Sequence, residues 1–261
     1  MYMNKKSIKV FFLVAVMIST LSSCGELQQI ASTSSQDKNS TNSQSSSAKN
    51  TEISQAEANS GVKQALNSAL QNSIKSLSVK DGFLRDEAVK ILLPPQAQKV
   101  EKTLRSVGMG NAVDKFITNM NRAAESAVKE AGPVFVNALS QLTVQDAFNI
   151  LLSGQNDAAT NFFKRTTSDE LNDKFKPIIQ SALGKYQVDT YWTQLTTAYN
   201  GLPIAQDKIE TDLNTYVTLQ AINGLFTKVA GEELKIRDNL GGARNTDTLK
   251  KVFDWVDKQK K

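Results

Sequence analysis

The sequence predicts an all-α domain, a single bundle-like body of about nine helices. Three observations carry that expectation. Alternating β-branched runs bounded by hairpin dipeptides are missing throughout. Helix-start signatures recur instead: Ser54 with Glu57 and Thr167 with Glu170 have the spacing of capping boxes, in which hydroxyl and carboxylate satisfy each other's free backbone N–H groups. The apolar residues between these starts are spaced by three and four.

Taken from the amino end, the chain opens with Lys5, Lys6 and Lys9, followed by the apolar run Val10 to Leu21. Twelve residues are too short for a bilayer core, which needs about 20, but they suit the hydrophobic part of an export signal. Leu21-Ser22-Ser23-Cys24 then has the form of a bacterial lipobox: an aliphatic residue, two small ones and the cysteine. On this reading residues 1–23 are a lipoprotein signal peptide. Cys24, the sole cysteine, becomes the lipidated amino terminus. The alternative is a buried or free cysteine in a leader. Two or more acyl chains hold a protein stably where one does not, at about 0.8 kcal/mol per buried methylene. Gly25 follows in place of an acidic residue, which favours the outer membrane, facing the periplasm.

Residues 24–53 read as the lipidated cysteine and a disordered linker. Ser, Thr, Asn and Gln dominate from Ala31 onward, leaving too little apolar surface to offset chain ordering. As a flexible coil such a segment spans about 30 Å, enough to lift a domain clear of lipid headgroups.

The folded part is expected over residues 54–257, with a basic tail at 258–261. Asn111 with Asp114 and Thr143 with Asp146 read as further caps. Gly61, Gly108, Gly154, Gly201, Pro94, Pro133 and Pro203 punctuate or interrupt the helices. Val113, Phe116, Ile117, Met120, Ala124, Ala127, Val128 and Ala131 form one buried stripe. From Tyr216 to Ala230 nine of fifteen residues are apolar and wrap most of the helix, so the helix from Asp212 to Asp238 belongs at the centre. Val89 to Pro95 is expected to be a short extended piece.

Composition excludes several chemistries. The formal net charge of +5 falls to +2 once Lys5, Lys6 and Lys9 leave with the leader, so the basic balance gives no support to nucleic-acid binding. The tail reads as a frayed, soluble helix end or as a weak attraction to anionic lipid. The chain has no histidine, which removes the usual general base near neutral pH and every Ser-His or Cys-His arrangement. Phosphate loops, metal-ligand spacings and cofactor motifs do not appear.

The stretches DGF, VKILLP, NMNRAAE, DAATNFF, FKPII, YWTQL, YNGLP, NGLF and TDTLKKVF occur in that order from Asp81 to Phe253. Together they resemble the bacterial family catalogued as domain of unknown function 4197, over roughly Gly61 to Phe253. The resemblance implies an exported, often lipid-anchored helical protein and assigns no catalytic residue.

Candidate ligand- or partner-binding residues are Asn121, Arg122, Glu125 and Asp157. Asn121 and Glu125 lie at the edge of the apolar stripe beside small alanines, where a ligand can approach closely; structurally, Asn121 can bond a helix end while Arg122 pairs with Glu125 on the surface. Asp157, behind Gly154, can serve a ligand or favour a helix N-terminus. Tyr191 and Trp192 read as a binding platform or as core, and Arg237 and Arg244 as an anion grip or as caps on helix C-terminal carbonyls. Three functions compete: a lipid-tethered binding or scaffold module with an envelope protein partner, a carrier of an apolar or amphiphilic ligand between helices, and a histidine-free hydrolase built on Asp81, Glu125 and Asp157.

Overall fold

The structure is a computed structural model and describes residues 52–202 and 212–259; Cys24, nearly all of the linker and Pro203 lie outside the described residues. Within them the chain forms nine α-helices and no strand: α1 Gln55–Leu77, α2 Gln98–Ser106, α3 Gly110–Val128, α4 Ala131–Gln141, α5 Val144–Leu152, α6 Ala158–Lys185, α7 Val188–Asn200, α8 Leu213–Arg237 and α9 Asp247–Gln259. None of the described helices is long and apolar enough to cross a membrane.

As its composition requires, α8 is the hub. It buries Val217, Ala221, Ile222, Leu225, Phe226 and Val229, and packs against α1, α3 and α6. Asp212 caps it, its carboxylate accepting the Thr215 N–H at 3.0 Å. Phe226 meets the ring of Phe135 edge-on at 6.1 Å, and Phe135 meets Phe163 likewise at 6.0 Å, so aromatic rings from α8, α4 and α6 interlock in the arrangement their quadrupoles favour. Trp192 stacks on Phe116 at 5.2 Å, and both Trp192 and Tyr191 are half-buried, packed against the edge of the core.

Two expected caps are present. Ser54–Glu57 opens α1 and Thr143–Asp146 opens α5, each as a reciprocal box. Glu57 also takes an ion pair from Lys251 on α9. That hydrogen bond, followed by those from Ser54, lowers the Glu57 pKa from 4.5 to about 2. A carboxylate depressed in the folded state stabilises fully above its unfolded value and loses that contribution as pH falls through the folded one. Glu57→Gln should therefore be less stable than the parent at pH 7, with the gap closing between pH 4.5 and about 2 in urea melts; a gap constant across that window would contradict the pairing.

Two other caps fail, for visible reasons. Thr167 and Ser168 lie inside α6, where their hydroxyls donate back to Phe163 O (2.7 Å) and Lys164 O (2.5 Å). A stripe of Phe163, Thr167, Leu171, Phe175 and Ile179 runs straight through the apparent start, and burying it overrides the local signal. Asn111 does not cap α3. Gly108, at φ +84°, closes α2 with its own N–H on Arg105 O and that of Met109 on Leu104 O. The chain then re-enters a helix at Gly110, and Asp114 turns to Arg105 (2.7 Å). Gly61 interrupts nothing either: it lies inside α1, where a Cβ would come 2.7 Å from Val252 of α9.

Candidate functional site

Between α1 and α2 the chain runs from Ser78 to Pro94 without a helix. This strap crosses α3 and α8 and is held by side chains rather than by a backbone ladder. Asn121, fully buried on α3, grips it as a neighbouring strand would. The Ile91 N–H donates to Asn121 Oδ1 (2.9 Å), and Asn121 Nδ2 donates to Ile91 O and Ile117 O (both 2.8 Å). The partner of Asn121 is thus the strap, not a helix end. Lys228 of α8 pairs with Asp86, and the Tyr216 hydroxyl donates to Leu92 O at 3.1 Å.

At its near end the strap turns sharply. Asp81 adopts φ +70°, a conformation that costs a non-glycine residue energy unless its surroundings hold it. Gly82 follows where a Cβ would stand 2.5 Å from Ser76 O, so no side chain fits. Phe83 then inserts fully buried against α8, where a Cβ on Gly224 would lie 2.7 Å from its ring.

Arg122 holds this turn in place. Its Nη1 donates to Glu125 Oε2 (2.7 Å) and its Nη2 to Asp81 Oδ1, while Glu125 Oε1 accepts the Phe83 N–H (3.3 Å) and Asp81 Oδ2 faces Arg85 at 3.3 Å. The Arg122–Glu125 pair is therefore not a surface pair: Glu125 is 5 % exposed, and the guanidinium bridges two carboxylates. Burial opposes the Arg122 charge, but the hydrogen bonds to Glu125 and Asp81 outweigh it and raise its pKa. The hydrogen bond from Arg122 likewise lowers the Asp81 pKa. A proton donor needs the opposite shift.

Asp157 does not join this cluster. It occupies the cap position of α6, exposed and without a capping hydrogen bond. The cap comes instead from α8: Glu233 accepts the N–H groups of Ala159 (3.0 Å) and Thr160 (2.8 Å) and the Thr160 hydroxyl (2.9 Å). Glu233 lies nine residues beyond Gly224, about 13 Å along the helix, so the acids proposed for a hydrolase fall into two separate places. The sequence signal for Glu233 was an acid inside the most apolar helix. Arg237 and Arg244 cap carbonyls as the alternative reading held: Arg237 reaches Ile150 O (2.9 Å), and Arg244 reaches Ile236 O (2.9 Å) and Arg237 O.

Two clefts flank the turn. One, of about 420 Å³, runs along the outer flank of α3 past Thr118, Arg122, Glu125 and Lys129, between Lys80 of the strap and Tyr186 beyond α6. The other, of about 490 Å³, is a shallower hollow over Asp81, Arg85 and Asp86. An apolar cavity between α1, α5 and α8 holds only about 20 Å³, room for one water and none for an acyl chain. Among the described residues no group of three or more carboxylates is placed to hold a metal ion.

The stretches DGF, VKILLP, NRAAE and NGLF, scattered over some 145 residues of sequence, thus meet around one turn and its cleft. No curated protein and no solved structure matches the chain. A family profile described as "Protein of unknown function (DUF4197)" matches residues 52–254, nearly the whole of the helical body. With that span covered, the chain belongs to the DUF4197 family.

Proposed function

We propose that this protein is exported, acylated on Cys24 and held at the outer membrane facing the periplasm, where its helical domain acts as a binding or scaffold module. The observation that carries the binding role is the cleft over Arg122. A strained turn, a doubly paired guanidinium and a buried carboxylate hold its floor rigid, as a recognition surface needs. Its volume lies in the range of ligand sites. The tether rests on the order of basic residues, apolar run, small residues and cysteine ahead of residue 25.

Each half has its own test. Cys24→Ser should move the protein from the membrane pellet to the soluble fraction of fractionated cells; retention in the pellet would remove the lipid anchor. For the cleft, a photo-crosslinking residue at Thr118 or Lys129 should capture a partner on intact envelopes. The same residue at Lys174, twelve positions or about 18 Å before Tyr186 along α6, should not. Equal capture at both places, or none at either, would remove the cleft as docking site.

A further inference from the structure

The chemistry lining the cleft is lopsided. Glu125 is its one acid, and both oxygens of that carboxylate are engaged, by Phe83 N–H and by Arg122. Asp81, behind Arg122, is likewise committed on both oxygens. The cations differ. Exposed Lys80, on the strap, and Lys129, at the end of α3, both line the cleft, and neither has an ion-pair partner among the described residues. Arg122 commits two of its five N–H groups to carboxylates. Ser78, Thr118 and Tyr186, each bearing a hydroxyl, also line the cleft.

Helix ends weigh on the other side. The carbonyl termini of α1, α3 and α6 border the cleft, each equivalent to about half a negative charge. That of α6 is partly offset by Asn119, whose Nδ2 donates to Tyr186 O at 2.7 Å. Arg122 and Arg85 balance Glu125 and Asp81, so Lys80 and Lys129 are the two cations left against those three half-charges; the balance stays slightly positive, and the unspent hydrogen-bonding capacity is mostly that of donors. A group with three or more acceptor oxygens uses more of those donors than a two-oxygen carboxylate.

We propose that the cleft between Lys80, Arg122 and Lys129 binds a small phosphate-bearing anion, either free or as the headgroup of an anionic lipid. This deepens the binding reading above and rests on the cleft being its docking place. The full-length chain is titrated with inorganic phosphate while amide NMR shifts are followed. Saturable shifts are expected at Thr118, Asn119, Ser126 and Tyr186. The double variant K80Q/K129Q, at two exposed sites, should bind at least tenfold more weakly, whereas K164Q/K174Q, which removes the same charge from the exposed face of α6, should bind as the parent does. Co-sedimentation with phosphatidylglycerol vesicles against phosphatidylcholine vesicles separates the sources: dependence on Lys80 and Lys129 there assigns a headgroup, and phosphate binding alone assigns a soluble ligand. Shifts that never saturate, or equal losses from both lysine pairs, overturn the proposal. A crosslinked partner at Thr118 without phosphate binding overturns it too while leaving the docking reading intact; phosphate binding without any partner does the reverse.

Discussion

Asn121→Ala is expected to destabilise the domain by about 3–5 kcal/mol. The side chain packs beside alanines, so lost volume is the smaller part. The larger part is the Ile91 peptide, whose N–H and C=O both end on the Asn121 amide inside the core. Each buried backbone group left without a partner costs about 1–3 kcal/mol. The third bond, to Ile117 O, adds little, because a helical carbonyl already has its own partner four residues on. Asn121→Leu fills the volume and should lose nearly as much, which separates the hydrogen-bond effect from a cavity effect. Asn121→Asp keeps an acceptor for the Ile91 N–H but sets a carboxylate against two carbonyls, and belongs with the severe variants. Urea unfolding gives the magnitude. Hydrogen exchange at the Ile91 amide gives the place, since the strap should open before α8 does. A loss below 1 kcal/mol with the Ile91 amide still protected would show that the strap is held by packing alone.

That strap also marks where sequence reading reaches its limit. The central helix was legible because its apolar residues wrap most of its circumference, a pattern that only packing against several neighbours explains, with a narrow exposed stripe left at Leu219, Asn223 and Thr227. The starts at Ser54 and Thr143 were legible because a box of four residues contains its own partners. Thr167 carries the same local signal, yet its meaning depends on a stripe that runs from Phe163, four residues before it, to Ile179, twelve after, and the longer pattern wins. NRAAE shows in the sequence as a place where polar groups sit at the edge of the stripe. What those groups touch was not legible, since Asp81, Phe83 and Ile91 lie thirty to forty residues away and no local rule pairs them. Asp157 is a half-legible case. It stands at the start of α6, as an acid favouring a helix N-terminus should, but the N–H groups there are taken by a buried acid from another helix.

That buried acid gives the other large expected effect. Glu233→Ala should cost about 3–5 kcal/mol, because it leaves the Arg237 cation buried without a counter-charge and two N–H groups of α6 without an acceptor. Arg237→Met should cost less, on the order of 2 kcal/mol. Glu233 then keeps two backbone N–H groups and the Thr160 hydroxyl as hydrogen-bond partners, and the principal loss is the bond to Ile150 O. Glu233→Gln is informative despite its shape, since its amide NH₂ must face a backbone N–H where the carboxylate had offered a second acceptor. The double variant Glu233→Ala with Arg237→Met removes both charges and should recover part of the single Glu233 loss, the remainder being the α6 N–H groups that no apolar side chain can satisfy. A double-mutant cycle in urea measures this directly. If the two losses simply add, the pair is not coupled, and the cap on α6 rather than the ion pair is what fixes α8 against it.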